Sequence, residues 1–403
     1  MTSTTAHASQ RKPDQRLVLL DLAPLFTASS FQGIGRYLRE LLPALVRLAS
    51  QEASCITAAG LDTRRLPWQV VEGDVLASIL EAAPETSTSS LPAPWKRRLA
   101  GRALARLGAA CLHQVEPRQV PITGGIPLVL TYHDLIPLEL PQLYSRRFPA
   151  FRFALNWLIT RWRLRLASHV VVVSHYVAQA LHRLFSFPGE RITVAYNGVD
   201  FQRFSPDPSP EEAAQLRAKW GLEPGYWLFV GTGDPRKNLP FLLAAAAASG
   251  GKTPVVLAGK IHPTLHWPAI ERAIAQTGVG KRVRVLGFVE EGWLPALYRQ
   301  SLGLAFPSLA EGFGLPVLEA MACGKPVVAF ETTSIPEVAG DAAWLTKPQD
   351  LAAFSQAMAE LERSEEKRKA LGEKAIRQAQ RFSWDNTATK VLSAYREVLR
   401  LPC

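Results

Sequence analysis

Residues 306–328 read FPSLAEGFGLPVLEAMACGKPVV, and this stretch decides how the second half of the chain is interpreted. It begins as a short apolar strand, passes through a loop containing Gly312 and Gly314, and continues as a helix. Pro316 suits the first turn of that helix, because its missing N–H costs nothing there. Gly324 predicts the end of the helix. The stretch therefore predicts a strand, a glycine loop and a helix N-terminus in succession.

Two carboxylates, Glu311 and Glu319, lie eight positions apart around this loop. The N-terminus of a helix binds anions through its free N–H groups and its macrodipole. Carboxylates accept hydrogen bonds from hydroxyls. The pattern therefore favours a ligand that carries phosphates together with sugar or ribose hydroxyls.

The segment resembles the E-x7-E signature of retaining, nucleotide-sugar-dependent glycosyltransferases of family four (group 1). The resemblance covers almost all of the second half of the chain. In the first half it covers GIGRY (33–37), HDLIPL (133–138) and the strand segments. It implies an α/β protein of the GT-B fold, in which two doubly wound, Rossmann-like domains face each other across a cleft.

Apolar strands alternate with helical segments along most of the chain, which predicts mainly parallel sheets. A polar, proline-rich break at 200–214 separates an N-terminal acceptor-side domain, 1–205, from a C-terminal nucleotide-sugar domain, 206–382. The resemblance implies that a final helix within 383–403 packs back on the first domain. The segment 60–120 gives no clear order of elements. Strands are expected at residues 16–24, 127–135, 168–174, 191–199, 226–232, 253–259, 283–289, 303–308, 325–330 and 342–346.

Two cations, Arg236 and Lys237, follow the strand expected at 226–232. Such cations stabilise a diphosphate and the charge that develops on it as a leaving group. The sequence resembles the PRKN phosphate-binding segment of the family, which implies this role for both residues. Thr232 stands where many members have an arginine, so the main phosphate role falls on the pair. A surface cation pair at the start of a helix is the alternative reading.

The resemblance implies roles for further side chains of the cleft. Glu311 would contact hydroxyls of the donor sugar, and Glu319 would accept from the ribose. His133 would contact the donor sugar near the reaction centre, so the expected catalytic set is His133, Glu311, Arg236 and Lys237. The remaining donor-binding positions are Gly33, Gly35, Phe288, Val289, Phe313, Gly314 and Leu315. Ser174 and His175 are expected to face the acceptor.

The excess positive charge belongs to the first half of the chain. Residues 1–200 carry 22 Lys and Arg against 14 Asp and Glu, a net of +8, out of +11 for the chain. No carboxylate occurs between Glu139 and Glu190, where arginines alternate with aromatic residues. Such a surface favours contact with anionic lipid headgroups, and a solvated basic face over core aromatics is the open alternative. Nucleic-acid binding is not expected, because no nucleic-acid motif accompanies the charge.

Several further sequence features define the expected chemistry and compartment. The chain has no Asp-x-Asp pair and no His/Cys ligand cluster, so we expect metal-independent catalysis without a cofactor. It has no run of 18 apolar residues and no apolar signal-peptide core, and its four cysteines are scattered. These features predict a cytoplasmic protein, with a peripheral position on the inner face of the plasma membrane as an option.

The functional hypothesis is transfer of a hexose from a nucleotide diphosphate to an acceptor hydroxyl. The combination of GIGRY, HDLIPLELP and GTGDPRKNL is similar to that of bacterial surface-polysaccharide mannosyltransferases, which implies GDP-mannose as donor and a glycan or lipid-linked acceptor. Two alternatives stay open: a GT-B nucleotide-sugar epimerase and a non-catalytic scaffold subunit with this fold.

Overall fold

The computed structural model describes residues 16–26, 33–51, 56–62, 69–71, 104–116, 123–144 and 149–401. Within these residues the chain forms two β-sheets, each flanked by helices.

The N-terminal sheet has seven strands in the order β3-β2-β1-β4-β5-β6-β7 within the described residues. Neighbouring strands are parallel except for β2 and β3. The strands are β1 (Arg16–Asp21), β2 (Ile56–Asp62), β3 (Gln69–Val71), β4 (Ala109–Gln114), β5 (Leu128–Tyr132), β6 (His169–Val172) and β7 (Ile192–Val194). The described helices of this domain are α1 (Gly33–Gln51), α2 (Ile136–Glu139), α3 (Ala150–Leu166) and α4 (His175–Phe185).

The C-terminal sheet has six parallel strands in the order β10-β9-β8-β11-β12-β13. The strands are β8 (Tyr226–Val230), β9 (Val255–Ala258), β10 (Val283–Gly287), β11 (Ser301–Phe306), β12 (Val327–Phe330) and β13 (Trp344–Thr346). The helices are α5 (Glu212–Trp220), α6 (Leu239–Ala248), α7 (Trp267–Thr277), α8 (Leu294–Gln300), α9 (Leu315–Ala322), α10 (Ile335–Ala339), α11 (Leu351–Arg363) and α12 (Glu365–Ala379).

The strand order of each sheet reverses direction once, between β1 and β4 in the first and between β8 and β11 in the second. In open α/β sheets a ligand crevice forms at such a point, beyond the carboxyl ends of the strands. The strands β5, β6, β9 and β12 are buried along their whole length, as expected for parallel strands covered on both faces. The fold therefore places one candidate ligand crevice in each domain.

A last helix, α13 (Trp384–Leu399), packs on the N-terminal domain against α1 and β4. Ser383 caps it by accepting a hydrogen bond from the backbone N–H of Asn386. Thr387 Oγ1 donates to the carbonyl oxygen of Tyr196 at 2.5 Å. The buried Tyr395 hydroxyl lies 2.5 Å from His113 Nδ1 on β4. The chain thus crosses from the second domain back to the first.

The expected alternation of strands and helices is confirmed, with two corrections. The strands β2, β3 and β4 fall in or next to the segment 60–120, whose elements could not be ordered from the sequence. The strand β2 reads ITAAGLD, and its alanines and glycine have low strand propensity. The strand expected at 191–199 ends at Val194, because the chain turns before Asn197 and Gly198 to meet α13.

We expect Gly198→Ala to destabilise the protein. A Cβ at this position would lie 2.2 Å from the backbone nitrogen of Trp384, so the start of α13 would have to move. Overpacking of this kind costs about 1–3 kcal/mol. Thermal unfolding should show a midpoint lowered by several degrees. Gly189→Ala is the matched control, since nothing lies within 4 Å of its added Cβ, and equal midpoints for both variants would contradict the prediction.

Candidate active site

The loop after β8 places two cations at the crevice of the C-terminal sheet. Asp234 accepts a hydrogen bond from the backbone N–H of Arg236 at 3.0 Å and fixes a short 3-10 turn over Pro235–Lys237. Asn238 ends the turn with a φ of 55°, a left-handed conformation that asparagine tolerates. The turn directs the Arg236 and Lys237 side chains towards the loop after β11.

Both cations bind the carboxylate of Glu311. Lys237 Nζ donates to Oε1 at 2.5 Å and Arg236 to Oε2 at 2.6 Å. Ser308 donates a third hydrogen bond to Oε1. Burial alone would raise the pKa of Glu311, but the two cations outweigh it and hold the pKa at about 2. The three groups form a buried cluster with a net charge of +1.

The loop 311–314 leads from this cluster into α9. Gly314 caps the helix with a φ of 107°, which glycine adopts without strain. Ser334 Oγ donates to the carbonyl oxygens of Glu311 and Phe313, both at 2.9 Å. Phe313 and Leu315 flank the cap, Phe313 buried and Leu315 half-buried. The predicted glycine loop and helix N-terminus are therefore one ordered unit.

Glu319 lies inside α9 and is buried. Its Oε2 accepts from the Tyr298 hydroxyl at 2.8 Å, and Oε1 forms an ion pair with Arg36 of the other domain. Arg36 also lies 3.4 Å from Glu291. Glu319 is therefore held at the boundary between the two domains.

The N-terminal domain meets this loop at His133 and Ser174. A Cβ on Gly312 would lie 1.8 Å from the backbone oxygen of His133, so only glycine permits this approach. Ser174 caps α4 and donates to the carbonyl oxygen of Gly312 at 2.7 Å. The structure thus brings His133 next to the predicted donor loop, and the Ser174 hydroxyl, which we expected at the acceptor, contacts the protein instead.

His133 is half-buried and holds a fixed tautomer. Its Nε2 donates to the carbonyl oxygen of Val115 at 2.9 Å, and its ring contacts Tyr37 edge-on. Burial lowers the pKa of His133 to about 4. The imidazole is therefore neutral near pH 7, with Nδ1 left as an acceptor. Asp134 accepts a hydrogen bond from the Ile136 N–H at 3.2 Å and so orders the loop that follows.

The remaining predicted residues fall in three places. Gly33 and Gly35 lie in the first turn of α1, and a Cβ on Gly33 would lie 3.5 Å from Leu315. Gly33 therefore lies beside the start of α9. Phe288 and Val289 follow β10, where the Phe288 side chain is 52% exposed and Val289 is buried. His175 is exposed at the start of α4.

Sequence reasoning missed the groups that connect the domains. Glu337 accepts hydrogen bonds from the backbone N–H groups of His175 and Tyr176, at 2.8 and 2.7 Å, and from the Tyr196 hydroxyl at 3.0 Å. The Tyr144 hydroxyl donates to Asp234 at 3.2 Å. No local sequence pattern identifies such contacts, because each joins residues 90 or more positions apart.

The part of the chain that the structure describes contains neither a group of metal ligands nor a membrane-spanning helix. In it, no three His, Cys, Asp or Glu side chains are grouped so that they would hold a metal ion. In the same residues, no helix has the length and apolar character that crossing a membrane requires.

Comparison with known proteins identifies the family. The model of Glycosyltransferase Family 4 matches residues 31–203, and the model of glycosyl transferases group 1 matches 213–378. O-antigen chain mannosyltransferase B of Escherichia coli is 32% identical over 275 residues, which cover 66% of this chain and 70% of that protein. The chain belongs to glycosyltransferase family 4. The predicted family is thereby confirmed.

Two further relatives agree with this assignment. The serotype-specific mannosyltransferase WbdA of Escherichia coli is 31% identical over 68% of this chain, which spans about a third (34%) of the length of WbdA. The structure of Anabaena HepE in complex with UDP and glucose has a TM-score of 0.68 at 19% identity, covering 95% of this chain and 100% of that one. The GT-B fold is confirmed, and this family 4 glycosyltransferase has the two-domain cleft that we expected.

We expect Gly312→Ala to abolish most transferase activity while leaving each domain folded. The added methyl group would collide with His133 across the cleft, and the collision is relieved when the domains separate. A displacement of about 1 Å at a reacting centre costs about a hundredfold in rate. Initial rates and thermal midpoints should be measured beside Gly292→Ala, whose Cβ meets nothing within 4 Å. A wild-type rate for Gly312→Ala would show that this close approach is not needed.

We also expect the glycosyltransferase to lose stability as the pH falls from about 7 to about 5. Burial lowers the pKa of His133 from 6.5 to about 4 and that of His113 to about 3. The unfolded chain therefore takes up protons below pH 6.5 that the folded state excludes, and each histidine costs about 1–2 kcal/mol over this interval. Thermal midpoints at both pH values measure the effect.

The His133→Gln variant should show a smaller pH-dependent loss of stability than the wild type. His262→Gln, which changes an exposed histidine, is the matched control. If His133→Gln and the wild type lose equal stability, the neutral imidazole is not the source of the pH dependence.

Proposed function

We propose that this glycosyltransferase moves mannose from GDP-mannose to an acceptor hydroxyl of a growing surface polysaccharide, with retention at the anomeric carbon. The buried cluster of Arg236, Lys237 and Glu311 is the observation that carries the proposal. It lies at the strand-order reversal of the C-terminal sheet and carries a net charge of +1 opposite His133. The similarity to two mannosyltransferases supports mannose as the sugar.

The donor would lie across the loop 311–314 with its diphosphate on the two cations. Glu319 follows Glu311 by eight positions and lies inside α9, beyond the glycine loop that begins at the cation cluster. That spacing suits a nucleotide, whose ribose follows its phosphates. The ribose hydroxyls would replace or join the Arg36 guanidinium as partners of Glu319.

Transfer forms a bond between the acceptor oxygen and the anomeric carbon as the bond from that carbon to the diphosphate breaks. The acceptor's proton passes to the leaving phosphate oxygen, on the same face of the sugar, because no side chain here is an evident covalent nucleophile. Arg236 and Lys237 stabilise the charge that develops on the diphosphate. Both cations remain close to Glu311, which lowers their cost of burial.

His133 would accept a hydrogen bond from a sugar hydroxyl through Nδ1, since Nε2 is already used by Val115. A neutral imidazole orients the sugar without adding positive charge at a carbon that becomes electron-poor. Arg236 and Lys237 then act on the diphosphate side, where negative charge develops as the leaving group departs. This arrangement favours the charge distribution of the transition state.

We further propose that catalysis needs no metal ion and takes place in the cytoplasm, beside the membrane. The two buried cations do the work that a divalent ion does on a diphosphate elsewhere. A nucleotide-sugar donor is water-soluble, whereas a surface polysaccharide can grow on a lipid carrier. An enzyme that joins them works best at the inner face of the plasma membrane.

A thermal-shift titration with GDP, UDP, ADP, dTDP and their common sugars tests the donor. We expect GDP and GDP-mannose to stabilise the protein most, with equal shifts in the presence of EDTA. Ligand at about 100 times its dissociation constant adds roughly 2.7 kcal/mol. Nuclear magnetic resonance of the product then reports whether the anomeric configuration is retained.

Glu319→Gln should weaken binding of the nucleotide that the titration selects by about ten- to a hundredfold. The reason is that a hydrogen bond to a charged group contributes about 1.5–3 kcal/mol. Glu271→Gln, on an exposed part of α7, is the matched control. No shift with any nucleotide would overturn the proposal and favour a scaffold. Release of an altered sugar without acceptor would favour the epimerase instead.

A further inference from the structure

Helix α3 exposes a continuous apolar stripe. Its members are spaced by four, three, four and four positions, which places them on one side of a helix. Between 41% and 67% of each side chain is exposed to solvent. The five members are Phe151, Leu155, Leu158, Trp162 and Leu166, named below as the α3 stripe. Exposed apolar patches of this kind mark a surface that contacts another body.

Four arginines flank the α3 stripe, and the helix contains no acidic residue. Arg165 lies on the exposed side beside the stripe, and Arg161 stacks over the Trp157 ring at its edge, 5.4 Å from the ring centroid. The flanking residues are Arg152, Arg161, Arg163 and Arg165. A partner must therefore be apolar along its middle and negatively charged on both sides.

The opposite face of α3 is fixed to the domain. Thr160 and Leu164 are buried, and Trp157 stacks on Phe185 at 5.6 Å. The Trp157 indole also donates to the carbonyl oxygen of Leu184 at 3.3 Å. The helix therefore cannot rotate to bury the α3 stripe without breaking these contacts.

The same helix lies next to the candidate active site. Phe153 packs on a small apolar cluster of Ile136, Tyr144 and Ala310. Tyr144 donates to Asp234 of the cation loop, and the carbonyl oxygen of Ala310 accepts from Arg236 at 2.8 Å. One layer of side chains thus separates the start of α3 from the cluster at Glu311.

We propose that the α3 stripe docks the protein on an anionic phospholipid bilayer. The apolar side chains would enter the boundary between headgroups and acyl chains, with the arginines on lipid phosphates. Helices that lie in the membrane interface have an apolar face between cationic side chains, as α3 does. All charged side chains of α3 are positive, which matches a uniformly negative surface. This proposal rests on the proposed function in one respect, namely that the acceptor is carried on lipid. The cleft of a docked protein would then reach that acceptor.

Vesicle flotation of the full-length protein tests this, with phosphatidylcholine vesicles that contain or lack phosphatidylglycerol. We expect binding to the anionic vesicles that weakens as salt is raised. The double variant Leu155→Glu/Leu158→Glu should lower binding by at least about tenfold, because two exposed leucines lose their apolar burial. Its control is Leu265→Glu/Leu351→Glu, which adds the same charge at leucines that are 45% and 38% exposed in the other domain.

Each other outcome overturns the proposal. Equal binding by the wild type and the α3 double variant would place the lipid contact elsewhere. A lowered thermal midpoint in the α3 variant alone would show that the stripe is packed within the protein. Loss of a dimer in light scattering would assign the stripe to a second copy of the chain. The nucleotide thermal shift, measured on the same samples, reports separately on the proposed function.

Discussion

The buried ion cluster of Glu311, Arg236 and Lys237 determines the form of the candidate site. It joins the loops that follow β8 and β11, two adjacent strands at the strand-order reversal of the C-terminal sheet. Burying an ion is costly unless it is paired and hydrogen-bonded. Loss of Glu311 would therefore leave buried positive charge unpaired between the two loops. In the proposed function, the single net positive charge of the cluster would attract the diphosphate of the donor.

The two domains meet through a few polar contacts around this cluster. Ser174 binds the backbone of Gly312, Arg36 pairs with Glu319, and Glu337 accepts from two N–H groups at the start of α4. Apolar contacts accompany them, since Ile136 and Tyr144 pack on Ala310 and the Tyr196 ring lies 6.1 Å from the Phe313 ring. The polar contacts lie at the edge of the cleft, which enzymes that close over their substrates open and shut. Glu337 also shows how such a contact is built, because a carboxylate at a helix N-terminus satisfies free donors there.

The sequence predicted the second domain better than the first. In residues 306–328 each element carries a local signal, since Gly314, Pro316 and Gly324 mark the cap, the first turn and the end of α9. In the first domain β2 and β4 read ITAAGLD and AACLHQ, whose small residues form strands only because neighbouring strands cover them. The site residues follow the same division. Arg236, Lys237 and Glu311 come from local motifs, whereas the pairing of Arg36 with Glu319 depends on how the domains meet.

The two groups of positive charge in this protein lie in different environments. Lys237 is buried, Arg236 is half-buried, and both are paired with a carboxylate, so added salt screens them less than exposed charges. The arginines of α3 lie beside exposed apolar side chains with no acid in the helix, and salt screens them strongly. The net charge of the first half of the chain is therefore not a property of the donor site. If both proposals hold, ionic strength should act on docking to a charged surface and leave nucleotide binding nearly unchanged. The cluster of Ile136, Tyr144 and Ala310 places the two proposed sites one layer of side chains apart.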